Sequence, residues 1–213
     1  MTETRRFRDR VDAGRLLAQK LDRYRGQPGV IVLGLPRGGV PVAHEVSAAL
    51  GAPLDVMLVR KLGLPQQPEL AMGAIASGGV RVMNEDLLAY LDVQQSTIDA
   101  VAAREQQVLE ARERAYRGDR PAIDLEGRTV ILVDDGLATG ASMRAAVSAA
   151  RQRRAARVVV AVPVAAPETI AEMRREVDDI VFVQAPSRFS AVGLWYEDFS
   201  ETPDETVRLL LET

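Results

Sequence analysis

A chain of 213 residues with 47% apolar and 27% charged residues can build one sizeable hydrophobic core of ordinary globular composition. The absence of cysteine excludes a disulfide framework, a thiolate nucleophile and a cysteine-based zinc site. A net charge of −3 argues against generic nucleic-acid binding, and the longest apolar run, 158–166, is too short to cross a membrane. Val11, Leu16, Leu17 and Leu21 among charges then predict a short amphipathic helix within 11–24. The N-terminal stretch MTETRRFRDR carries charges but no apolar segment after them, so no signal peptide and a cytoplasmic location are expected.

The turn at 26–29 leads to an apolar strand over 30–33, a glycine-rich loop over 34–39 (GLPRGG) and a helix from about 41 to 50. Pro41 suits the first turn of that helix and Gly51 closes it. A buried strand is expected over 54–59, so strand, loop, helix and strand make one βαβ unit. Residues 62–79 (LGLPQQPELAMGAIASGG) read as an irregular stretch, since Pro65, Pro68 and several glycines exclude a continuous helix. At its base, 72–76 and 80–83 are expected to pair as a hairpin. Asn84 is placed to cap a helix over 85–91, and Ser96 or Thr97 to cap a longer one. On the longer helix Ile98, Val101, Ala102, Val108 and Leu109 share a face, and Glu110 and Arg114 form an i,i+4 pair. A polar connection is expected over 117–126.

Residues 130–142 read VILVDDGLATGAS. Four consecutive apolar residues without alternation suit a strand buried on both faces of a parallel sheet. Two carboxylates, Asp134 and Asp135, stop the run, a small-residue loop follows, and a helix opens at Ala141. At the C-terminal edge of a parallel sheet this order aims backbone N–H groups and a helix N-terminus into one crevice, where they favour a phosphate. The adjacent carboxylates accept hydroxyl protons instead. A ribose 5-phosphate satisfies both. No lysine follows Gly140, so this is not a Walker loop, and the acids precede the glycines, unlike a dinucleotide fingerprint.

The motif resembles the phosphoribosyl-pyrophosphate (PRPP) signature of type I phosphoribosyltransferases. That resemblance implies that Ala138, Thr139, Gly140, Ala141 and Ser142 hold the 5-phosphate and that Asp134 and Asp135 bind the ribose hydroxyls. It implies that the loop at 34–39 takes the departing pyrophosphate through Arg37, Gly38 and Gly39, joined by Arg60 and Lys61, with Arg37 and Lys61 counted in the catalytic set. It also implies a mobile loop in the 62–79 region that closes over PRPP, and Mg²⁺ as cofactor, arriving with PRPP because the chain shows no cluster of dedicated ligands.

After the motif, Met143, Ala146, Val147 and Ala150 form a helical stripe. Arg151, Arg153, Arg154 and Arg157 follow, read as cations suited to the helix C-terminus before an RNA-binding patch. Only two of the 27 basic residues are lysines, so arginine abundance alone carries no functional weight. Strands are expected over 158–164 and 180–183, with a helix opened by Pro167 between them. His44 lies within a helix and is not read as catalytic.

Aromatics are 4% of the chain, yet Phe189, Trp195, Tyr196 and Phe199 fall within eleven residues. This stretch loosely resembles the base-covering hood of hypoxanthine–guanine phosphoribosyltransferases, which implies Phe189 or Trp195 stacked on a base and Asp198 at its polar edge. The lysine that such purine enzymes carry after the strand equivalent to 158–164 is absent here.

The expected fold is α/β: a mainly parallel sheet of about five strands flanked by helices, in a single domain. Its core spans about 26–184, with a small hood lobe from 1–25 and 185–213. The expected partners are PRPP and a nucleobase-like acceptor, with homo-oligomerisation left open and no membrane or nucleic acid. The alternative to an enzyme is a non-catalytic PRPP- or nucleotide-sensing regulator, one that binds RNA through the arginines at 151–157.

Overall fold

The computed structural model describes residues 5–212; residues 1–4 and 213 of the expected hood lie outside it. Its centre is a five-stranded, all-parallel sheet of order β2-β1-β6-β7-β8. The strands are β1 (Val30–Gly34), β2 (Leu54–Val56), β6 (Thr129–Val133), β7 (Arg157–Val164) and β8 (Asp179–Gln184). Alternate residues along each strand enter two different cores. Ile31, Leu33, Val130, Leu132, Val158 and Val160 face Met143, Ala146 and Ala150 of α5 (Ala141–Gln152) and Ile170 and Met173 of α6 (Pro167–Met173). Val30, Val32, Ile131, Val133, Val159 and Ala161 face α1 (Arg10–Lys20) and α2 (Gly39–Leu50). Both faces are covered, which is why these strands read as unbroken apolar runs.

The remaining strands form a separate antiparallel sheet, β3 (Val59–Leu64), β4 (Gln67–Ala76) and β5 (Val80–Met83), in that order. This corrects two expectations. The single strand over 54–59 is divided: β2 ends at Val56, and at Met57 and Leu58 the chain leaves one sheet for the other. Met57 donates its N–H to Gly34 (3.0 Å), whereas Leu58 donates to the Ser77 hydroxyl (2.9 Å). Both side chains are buried, so the apolar run continues across the change of sheet. The irregular stretch at 62–79 is largely strand. Pro65 occupies the β3–β4 turn, and Pro68 lies where the ladder shifts register, so neither removes a ladder hydrogen bond. A Cβ on Gly63 would lie 2.3 Å from the Pro68 carbonyl oxygen, so this glycine permits the close approach of the bulge.

Helix α3 (Glu85–Leu91) begins as expected, with the Asn84 side chain accepting from Leu87 N–H. Helix α4 (Gln95–Arg117) starts earlier than expected at the N-cap Gln94, which offers no side-chain cap, and it ends at Arg117, where the connection was expected to begin. Val108, expected on the buried face, is exposed, while Ile98, Val101, Ala102 and Leu109 are buried. Glu110 bonds with Gln106, and the helix's i,i+4 ion pair joins Glu113 to Arg117. With α7 (Asp204–Glu212), α4 closes a third core over the antiparallel sheet. Helix α1 packs on the parallel sheet, and the termini meet. Phe7 donates to the Trp195 carbonyl (2.8 Å), and Glu197 donates to that of Phe7 (2.8 Å).

Candidate active site

β1 and β6 are neighbours in register, so the loops that leave them open at the same edge of the sheet. After β1, the loop through Pro36 and Arg37, joined by a cis bond, reaches Gly38 and Gly39. After β6 comes the acidic pair. The two loops touch. A Cβ on Gly39 would lie 2.7 Å from the Val133 carbonyl oxygen and 2.9 Å from Asp134 Cα; one on Gly38 would lie 2.0 Å from Asp135 Oδ2. Only glycines let these backbones approach so closely.

Asp134 accepts the Asp135 N–H (2.8 Å). Burial, and then the Asp135 charge beside it, push its carboxyl well above the usual range. Burial raises Asp135 as well, against the pull of Arg10, whose Nε donates to Asp135 Oδ2 (2.9 Å). Tyr196 donates its hydroxyl to the Asp135 carbonyl oxygen (2.6 Å), and burial followed by the Asp135 charge raises its pKa strongly.

The loop at 138–142 is held from behind. Thr169 donates its hydroxyl to the Ala138 carbonyl (2.5 Å), and Arg144 Nη1 donates to that of Thr139 (2.9 Å). In a trans peptide the N–H points opposite its C=O, so the N–H groups of Thr139 and Gly140 are aimed away from this support. Gly140 takes a left-handed φ of 76° as N-cap of α5, while Ala138, Thr139, Ala141 and Ser142 are exposed. The result is an open loop at the N-terminus of a twelve-residue helix, an arrangement of N–H groups that favours an anion.

The cations divide. Arg37 adjoins the glycine pair and forms an ion pair with Glu201. Lys61, expected to take the pyrophosphate, sits within β3 opposite Ala74 and pairs with Glu69 (3.4 Å). Arg60 pairs with Glu105 of α4 (2.6 Å). Phe189 and Trp195 pack against the cluster of Phe7, Ala13, Val164 and Tyr196, while the exposed Asp198 accepts from Ser200 N–H (2.9 Å), which lowers its pKa. The arginines at and beyond the end of α5 are dispersed: Arg151 pairs with Asp178, Arg153 donates to the Ile123 carbonyl and Arg154 pairs with Glu126.

Arg10, Thr169, Arg144 and Glu201 carried no sequence signal for the site. Arg10 lies 125 residues from Asp135, so only the fold joins them. Among the described residues, no helix is long and apolar enough to cross a membrane.

A parallel sheet with two touching loops and an acidic pair at one edge defines an α/β fold with a crevice at that edge, and sequence comparison gives its family. The phosphoribosyl transferase domain family matches residues 66–193, and the chain belongs to that family. A Mycobacterium tuberculosis protein provisionally named a phosphoribosyl transferase is 47% identical over 206 residues, 97% of this chain and 46% of its own length. The chain thus spans about half the length of that curated relative. A crystal structure from Thermus thermophilus is 49% identical and superposes with a TM-score of 0.85 over 97% of both chains. The bifunctional protein PyrR of Chloroflexus aurantiacus is 34% identical over 129 residues, 59% of this chain and 65% of its own.

Proposed function

We propose that this domain transfers the phosphoribosyl group of PRPP to a ring nitrogen of a nucleobase-like acceptor, purine-like by preference, and releases pyrophosphate. The observation that carries the reading is the joining of three groups at one sheet edge: the glycine pair, the acidic pair it touches and the open loop at the start of α5. That loop suits a 5-phosphate, and the acidic pair suits the ribose hydroxyls a few ångströms away. Arg37 suits the leaving pyrophosphate. The C1–oxygen bond to pyrophosphate breaks, a C1–nitrogen bond forms, and the proton of the acceptor nitrogen passes to the released pyrophosphate or to water. The transition state has oxocarbenium character, so the protein contributes positioning and charge stabilisation.

Among the described residues no group of three or more histidine or acidic side chains is placed to hold a metal. Asp134 and Asp135 offer hard oxygen donors that fit Mg²⁺, an ion that keeps waters and takes phosphate oxygens, so it would enter with PRPP and neutralise the pyrophosphate. The open loop and the glycine pair belong to this chain and orient the substrate.

A non-catalytic PRPP- or nucleotide-sensing regulator is the second reading, favoured by the 34% identity over 129 residues to a protein named as bifunctional. Calorimetry with PRPP and Mg²⁺ tests the shared PRPP site. Binding should be lost in Asp135→Asn and weakened roughly 10- to 100-fold in Thr139→Val, the equivalent of about 1.5–3 kcal/mol for a hydrogen bond to a charged group. Unchanged binding in both variants would place the site elsewhere.

A further inference from the structure

The C-terminal tail reaches both cations of the crevice through consecutive residues. Arg10 Nη1 donates to the Ser200 carbonyl oxygen (2.7 Å), and Arg37 pairs with the Glu201 carboxylate. Between the two arginines lies Gly38, where a Cβ would meet both Asp135 Oδ2 and, at 3.0 Å, Arg10 Nε. The tail is therefore tied to the two loops that form the crevice, not to a remote surface. Phe199, the preceding residue, lies under the Arg10 guanidinium at 4.1 Å and beside the Tyr196 ring at 5.0 Å.

The two ends of this assembly differ in strength. Arg10 and Asp135 are shielded, with side chains 12% and 15% exposed, whereas Glu201 is 72% exposed on an Arg37 that is 36% exposed. Exposed ion pairs are weak and readily exchanged, and a carboxylate is a single-charge rival for an arginine that a diphosphate engages with more charge and more oxygens.

We propose that Ser200 and Glu201 are an internal occupant of the pyrophosphate end of the crevice, held on Arg10 and Arg37 until the substrate's phosphates displace them. Glu201 leaves Arg37 as the diphosphate arrives, and release of the Ser200 oxygen frees Arg10 Nη1, whose Nε stays on Asp135, to donate to the same anion. The tail is thus a latch that occupies the donors of both arginines while the crevice is empty. This rests on the reading of Arg37 as the pyrophosphate residue.

The test compares the wild-type chain with Glu201→Gln and with Glu205→Gln, which removes a charge on the first turn of α7. Amide exchange at 198–202 is followed with and without PRPP and Mg²⁺, beside calorimetric titration. In the ligand-free chain, Glu201→Gln should speed exchange at 198–202 and Glu205→Gln should not. PRPP should bind Glu201→Gln about two- to five-fold more tightly than wild type and should speed exchange of the wild-type tail. Equal PRPP affinity in the two chains, or a tail whose exchange PRPP leaves unchanged or slows, overturns the latch while PRPP binding stands. Equal ligand-free exchange in wild type and Glu201→Gln overturns it too. PRPP bound by none of the chains overturns the PRPP reading itself, and the displacement with it.

Discussion

Asp134 and Asp135 are adjacent acids that both carry raised pKa values, so each is costly to ionise where it sits. A carboxyl whose pKa is higher in the native chain than in the unfolded one binds its proton more tightly when folded. Stability from that proton is full below the unfolded value and is lost as pH rises through the native one. Asp134→Asn keeps an oxygen to accept the Asp135 N–H but does not titrate. It should melt at a higher temperature than wild type at pH 7, with the gap closing below about pH 4, near the ordinary carboxylate value. Thermal melts across that range check this; a variant that is less stable at pH 7 would contradict the cost assigned to the pair. Gly39→Ala would force a Cβ to 2.7 Å from the Val133 oxygen, where backbone must move. The loss should be about 1–3 kcal/mol in a denaturant titration, as for other overpacked sites.

Between the elements, a buried ion pair ties the parallel sheet to α4. Arg117 Nε donates to Asp55 Oδ1 (2.7 Å) and its Nη2 to the Val56 carbonyl (2.8 Å), while Ile123 N–H donates to Asp55 Oδ2 (3.1 Å). Arg117→Met would leave Asp55 buried without its cation, so unfolding free energy should fall by about 3–5 kcal/mol in urea titration. Farther along, Tyr116 donates to Asp204 of α7 (2.5 Å), and burial, then that carboxylate, push its pKa up to about 12 from 10. The stability it contributes is full below pH 10 and lost as pH rises through 12, so Tyr116→Phe should flatten this part of the alkaline decline. A decline identical in both chains would show that Tyr116 does not titrate there.

The elements that were legible in the sequence are those whose local pattern and tertiary role agree. β1, β6 and β7 read as buried strands because helices cover both faces, and the cap at Asn84 is a local hydrogen bond. The change of sheet at Met57 leaves no trace in hydrophobicity, since both sides of it are buried. Gly63 and Pro68 suggest a loop by composition, yet they allow a bulged hairpin through close backbone contact. In the site, Asp134, Asp135, Gly38 and Gly39 were legible because chemistry and spacing coincide in short motifs. Arg10 and Glu201 were not, because chain distance hides a contact that only the folded termini create.

At the scale of the whole molecule, a parallel sheet presents two loops at one edge, and both ends of the described chain close over them. Phe7, Tyr196 and Trp195 join the termini, and Arg10 carries that junction to Asp135. The proposed phosphoribosyl transfer rests on family membership together with the acidic pair and the loop beside it, and its most direct test is turnover. The chain is incubated with PRPP, Mg²⁺ and a panel of purine, pyrimidine and other heterocyclic acceptors, and pyrophosphate and the nucleotide product are quantified together. Stoichiometric formation of both with at least one acceptor, abolished in Asp135→Asn, is the predicted result. PRPP that binds but yields no nucleotide with any acceptor would contradict a transferase and leave a PRPP-sensing domain.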